Sequence, residues 1–124
     1  MPMQEVPLKD WGDFLERFSK SHEGCLIQLE IYDRKNVSQI SSRPLFLKSI
    51  TAEPSKNGRS PIVIIVGGDK TTEVGQLVRH PSRLLLRQDS AGDDEEVEIY
   101  SDQWLFVVRS MCSVREQAER PRTA

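Results

Sequence analysis

A chain of 124 residues, 37% apolar and 29% charged, has the length for one domain and the composition of an ordinary water-exposed protein. Its 17 basic and 19 acidic residues leave a net charge of -2, which counts against a nucleic-acid binder because such proteins carry a basic excess. No run approaches the roughly 20 apolar residues needed to span a bilayer, and MPMQEVPLKDW carries Glu5 and too few apolar residues for a signal peptide. A cytoplasmic location away from membranes is therefore expected, with Cys25 and Cys112 as reduced thiols; export would make a bridge between them feasible.

The first predicted element is a helix over about residues 8–21. Leu8, Trp11, Phe14, Leu15 and Phe18 recur at spacings of three and four and form one apolar stripe. Pro7 suits the first turn, and Gly24 suits the left-handed position just past the last. Such a stripe carries too much apolar area to stay wet, so the helix must cover something.

Everything after it predicts sheet. CLIQLEIYD alternates, with Cys25, Ile27, Leu29 and Ile31 on one face. Arg34 to Arg43 is a polar connection, PLFLKSITAE a second strand, and PSKNGRSP a turn cluster. PIVIIVG is a continuous β-branched run, the pattern of a strand buried on both faces. TTEVGQLVR predicts a further strand with Gly75 as a bulge. SRLLLRQD, EVEIYS and QWLFVVRS complete the set, and residues 113–124 form a loose charged tail to a domain spanning 1–112. About seven short, closely spaced strands without intervening helical periods predict an α+β fold. The N-terminal helix packs on a strongly curved, mainly antiparallel meander sheet or small β-barrel.

The GGDKTT stretch after PIVIIV invites comparison with a phosphate-binding loop. Gly67 and Gly68 are adjacent rather than separated by four residues, and TTEVGQLVRHP is a poor helix. A tight link between antiparallel strands, with glycine supplying positive φ, is the better prediction.

DSAGDDEE carries five carboxylates, but their sequential spacing converges poorly on one ion. It predicts a hairpin tip centred on Ala91-Gly92. The register that follows pairs Leu84 with Ile99 and Leu86 with Val97 on the inner face. On the outer face it pairs Arg83 with Tyr100, Leu85 with Glu98 and Arg87 with Glu96. Arg79, Arg83 and Arg87 share one strand face by even spacing and form a candidate anion-binding row, opposed by acids of the next strand. A two-residue turn near Ser101–Gln103 then leaves Leu85, Tyr100, Leu105 and Val107 on a second face too apolar for plain solvent, a candidate interaction face.

His22 and Cys25 make only half a zinc site, and no serine elbow or H-E-x-x-H motif occurs. No metal, cofactor or catalytic residue is expected. The opening DWGDFLERFSKSHEG resembles a family of small bacterial proteins grouped as a domain of unknown function. Its motif is W-x-x-F-hydrophobic-[DE]-R-F-S-x-x-H-x-G, followed by an aromatic and a strand. Trp11, Phe14, Leu15, Glu16, Arg17, Phe18, Ser19, His22 and Gly24 match, while Cys25 replaces the aromatic. The close match covers about residues 10–32 and implies no activity. Arg17, Ser19 and His22 are polar without being required by the apolar stripe. They are either local caps or a small polar site at the helix–strand junction.

The expected function is a non-enzymatic domain that binds an unidentified protein partner or a second copy of itself as a homodimer. An anion- or nucleic-acid-binding module using the arginine row is one alternative, and an enzyme built on the junction residues is the other.

Overall fold

A computed structural model describes residues 3–52, 61–69 and 71–111. A 3-10 turn, Leu8–Asp10, leads into helix α1, Trp11–His22. The strands are β1 (Gln4–Glu5), β2 (Leu26–Asp33), β3 (Ser38–Ala52), β4 (Ile62–Gly67), β5 (Val74–Val78), β6 (Pro81–Gln88), β7 (Asp94–Ser101) and β8 (Trp104–Ser110). They form one antiparallel sheet in the order β1-β6-β7-β8-β2-β3-β4-β5. The sheet is thus two meanders, β2 to β5 and β6 to β8, joined through the β8–β2 ladder. It remains an open sheet and not a barrel: β1 and β5 are its edges.

The helix covers the sheet as its stripe requires. Trp11, Phe14, Leu15 and Phe18 are buried among Ile27, Leu29, Leu47, Ile50, Leu84, Ile99 and Val108 of the core. Trp11 Nε1 donates to the carbonyl of Val6 at 2.8 Å, so its polar edge is satisfied inside the apolar contact. Leu8 is the exception on the expected stripe; it lies in the 3-10 turn and is exposed. Gly24 adopts φ 77 past the helix end, and its N–H donates to the carbonyl of Leu47 at 2.8 Å. The chain therefore turns into β2 already tied to β3.

The expected hairpin register is present: Arg83↔Tyr100, Leu84↔Ile99, Leu85↔Glu98, Leu86↔Val97 and Arg87↔Glu96. Gly92 at φ 87 turns that hairpin, and Ser101↔Trp104 closes the next across Asp102–Gln103.

Three expectations need correction, and one strand is an addition. The polar stretch 34–43 is strand from Ser38 onward, and the connection is only residues 34–37. The Asp33 carboxylate accepts the N–H groups of Lys35 and Asn36 and the Asn36 amide, which builds the turn locally. β4 is buried on one face only, because Val63 and Ile65 are half-exposed on the other. Gly75 is no bulge; it pairs with Ile65 in continuous register, and the bulges fall at Ile31/Tyr32, Leu47/Ser49, Pro81/Arg83 and Arg87/Gln88. Two-residue β1, beside Leu85 and Leu86, carries no periodic signal and was not expected. Most of the turn cluster before β4, Lys70 and the tail from residue 113 lie outside the described residues.

Candidate functional site

The glycine loop is built around Asp69. Its Oδ1 accepts from the N–H groups of Thr71 and Thr72 at 2.8 Å and from both threonine hydroxyls. Those backbone bonds, led by Thr71 and then Thr72, with the hydroxyls adding to them, bring the Asp69 carboxyl down to about 2. The threonine amides that a phosphate would need are thus already spent on a carboxylate. Neither Gly67 nor Gly68 has positive φ, which corrects the reason for glycine here. A Cβ on Gly67 would collide with the Thr72 carbonyl, so close backbone approach is what requires it.

The arginines do not form one row. Arg79 precedes β6, because His80 at φ 53 breaks the extended backbone before Pro81. Arg83 donates twice to Glu5 Oε1, from Nε at 3.1 Å and Nη2 at 3.0 Å, and lies 5.7 Å from the Tyr100 ring centre. Arg87 donates to Glu96 at 3.2 Å, and the same Glu96 oxygen accepts Arg109 at 2.8 Å. Glu96 is buried between these two guanidiniums. Arg109 also approaches Glu30 at 3.0 Å.

At the junction, Ser19 and His22 are buried and Arg17 is exposed, so the three do not converge. The Ser19 hydroxyl bonds both backbone groups of Ile50. His22 stacks on Phe18 with ring centres 4.1 Å apart. Its Nδ1 lies 3.0 Å from the carbonyl of Phe18 and its Nε2 3.1 Å from that of Asp94. These contacts fasten α1 to β3 and to the start of β7.

On the outer face, cross-strand rows run Leu85–Glu98–Val107–Glu30 and Arg83–Tyr100–Leu105–Tyr32. Leu85 and Val107 are buried, and Tyr100 and Leu105 are half-exposed. Arg34 sits 4.8 Å from the Tyr100 ring centre, and the Tyr100 hydroxyl donates to Glu98 at 3.1 Å. Arg34 of the β2–β3 turn, Glu98 of β7 and Arg83 of β6 thus gather round Tyr100 on this face. Burial first, then the adjacent Glu98 carboxylate, pushes the Tyr100 phenol up. Burial and Glu30 do the same to Tyr32.

Exposed apolar side chains also stand at β5. Val74 is 62% exposed and Leu77 41%. The strand pairs with β4 on one side and ends the sheet on the other. A groove of about 550 Å³ is lined by Gln76 and Leu77 of β5, Ile31 and Ile40 of the β2–β3 hairpin, and Trp104 and Phe106 of β8. Two residues with left-handed backbone, His80 at φ 53 and Asp102 at φ 48, also line it.

A profile of DUF5335, described as a family of unknown function, matches residues 2–120. The chain belongs to the DUF5335 family. The match extends far beyond the opening motif and takes in every described strand of the sheet. No curated protein and no solved structure matches the chain.

In this DUF5335 member Cys25, expected as a reduced thiol, is disulfide-bonded. It sits beside the end of β8: its Sγ lies 3.7 Å from Ser110 Oγ, and Met111 N–H donates to the carbonyl of Leu26 at 3.0 Å. Cys112, the other cysteine of the sequence, lies outside the described residues. Among the described residues no three His, Cys, Asp or Glu side chains are placed to share a metal ion, and no helix is long and apolar enough to cross a membrane.

The β5 edge was not singled out from sequence. Its signal was present: V-G-Q-L-V lacks both charge and proline, the features that usually blunt an edge. What the sequence did not reveal is that this strand, rather than β4, ends the sheet.

Proposed function

We propose that this DUF5335 member is a non-enzymatic protein-interaction domain, and that its working surface is the free edge of β5, which adds an extended protein segment to the sheet. The supporting observation is the edge itself: five consecutive residues without charge or proline, with Val74 and Leu77 exposed. A sheet edge presents unpaired N–H and C=O groups, so an added strand gains main-chain hydrogen bonds and places alternate side chains against the neighbouring apolar surface. The opposite edge, β1, is two residues long and contains Glu5, which pairs with Arg83. It offers no comparable ladder.

The face of Leu85, Tyr100, Leu105 and Val107 supports the reading less well, because Leu85 and Val107 are already buried. The junction residues Ser19 and His22 are engaged in holding α1, and Arg83 and Arg87 are held by carboxylates. None of these groups contributes to the proposed surface. A photo-crosslinking residue placed at Leu77 tests the reading in living cells. A discrete protein adduct is expected from position 77 and none from position 13, on the exposed side of α1. Absence of any adduct from position 77 overturns it.

A further inference from the structure

The chemistry of β5 and the residues that flank it points to one partner. From Glu73 to Arg79 the sequence reads E-V-G-Q-L-V-R. Laid antiparallel against a second copy about a two-fold axis through Gln76, it complements itself at each position. Glu73 faces Arg79 of the other copy, Val74 faces Val78, Gly75 faces Leu77, and Gln76 faces Gln76.

The charges mark this register. Glu73 and Arg79 stand one residue beyond either end of the strand, and both are exposed. Among the described residues neither has an ion-pair partner within its own chain. The two-fold operation brings each opposite the other's counterpart, which gives two ion pairs and no like-charge contact. Shifting the register by two residues in either direction removes both pairs.

The alternation of faces agrees with the charges. Gly75 and Leu77 share the side of β5 that Val63 and Ile65 occupy on β4, and alternation carried one residue past each end of the strand puts Glu73 and Arg79 on that same side. The exposed Leu77 of one copy therefore meets Gly75 of the other, where no side chain competes for the space.

We infer that β5 pairs with β5 of a second copy in this register, joining two eight-stranded sheets edge to edge in a homodimer. The inference rests on the strand-docking reading and specifies its partner. Pairing of this kind is isologous, so a contact made once is made twice.

Sedimentation velocity on the full chain over a range of micromolar concentrations tests it. A rise from the 14.2 kDa monomer to twice that mass is expected. Glu73→Arg or Arg79→Glu alone replaces both attractions with repulsions and weakens dimerisation about tenfold or more. An equimolar mixture of the two single variants restores it, because each then supplies what the other lacks. The double variant Glu73→Arg/Arg79→Glu restores it as well. Both positions are exposed, and circular dichroism and melting temperature verify that each variant is folded.

A wild-type chain that stays monomeric at every concentration overturns the inference. So does a dimer indifferent to either reversal, or single variants that fail to recover when mixed. A monomer that still yields a position-77 adduct with a different protein overturns self-pairing and leaves strand docking standing. A monomer with no such adduct overturns both.

Discussion

The hydroxyl of Ser19 donates to the carbonyl of Ile50 at 2.8 Å and accepts the N–H of the same residue at 2.7 Å. One helical side chain thus satisfies both backbone groups of a core strand residue. The need arises from topology. β2 pairs with β3 only as far as Phe46, whereas β3 continues to Ala52, so past that point no strand among the described residues lies beside the edge of β3 facing away from β4. Ser19→Ala leaves a buried donor and acceptor without their partner, and a loss of about 1–3 kcal/mol is expected. Ser21→Ala is the control. The Ser21 hydroxyl bonds the carbonyl of Arg17 on the exposed side of the same helix, and its loss should stay within about 0.5 kcal/mol. Urea unfolding of both variants checks the contrast, and equal losses would remove the clamp from the account.

Arg83 and Glu5 hold β1 to β6 by a fork of two hydrogen bonds to one carboxylate oxygen, but both side chains are more than half exposed. A double-mutant cycle on Arg83→Ala and Glu5→Ala should return a coupling of about 0.2–1 kcal/mol that shrinks as salt is raised. A coupling indifferent to salt would mean that Arg83 acts through packing on the Tyr100 ring and not through charge.

The parts of this fold legible in the sequence were those with a strict period and a hard face. The Trp11–Phe14–Leu15–Phe18 stripe fixed the helix. The alternation of Leu84, Leu86, Val97 and Ile99, with Arg87 opposite Glu96, fixed the β6–β7 register residue by residue. The start of β3 was not legible because Ser38 to Arg43 are polar apart from Ile40, which is exposed, and a solvent-facing strand of that kind looks like a loop. The order of strands was not legible either: the β8–β2 ladder joins residues such as Leu29 and Val108, far apart in sequence, and no local pattern announces it. The same gap hid the candidate surface. TTEVGQLVR is recognisable as a strand, but only the topology makes it an edge. The polar groups that the opening motif does mark, Ser19 and His22, are committed to backbone partners.

The two tyrosines of the chain report on the outer face. Tyr100 is pushed up by burial and by Glu98, and Tyr32 by burial and by Glu30. Both should therefore ionise above the ordinary value of 10.0 in the folded protein. The sign follows from linkage. A phenol whose folded pKa exceeds its unfolded value adds stability that is fully present below the unfolded value and is lost as pH rises through the folded one. An alkaline titration followed by tyrosinate absorbance should run to higher pH in the native chain than in the chain unfolded by guanidinium. Glu98→Gln should move the Tyr100 part of the native curve back down. Coincident native and unfolded curves would show that the carboxylates do not act on the phenols.

Asp69 gives the opposite sign at the other end of the scale. Its carboxylate accepts the N–H groups of Thr71 and Thr72, and its pKa falls from the ordinary 3.8 to about 2. A lowered carboxyl pKa contributes stability that is present above the unfolded value and is lost as pH falls through the folded one. The link between β4 and β5 should therefore keep its bonds at pH 4 and release them only near pH 2. The amide resonances of Thr71 and Thr72, followed by NMR on acidification, should shift together with a midpoint near 2. Asp69→Ala should abolish the transition and speed hydrogen exchange at both amides already at neutral pH. A midpoint close to 3.8 would mean that the carboxylate is not the acceptor that shapes this turn, and the close approach of Gly67 to Thr72 would then need another cause.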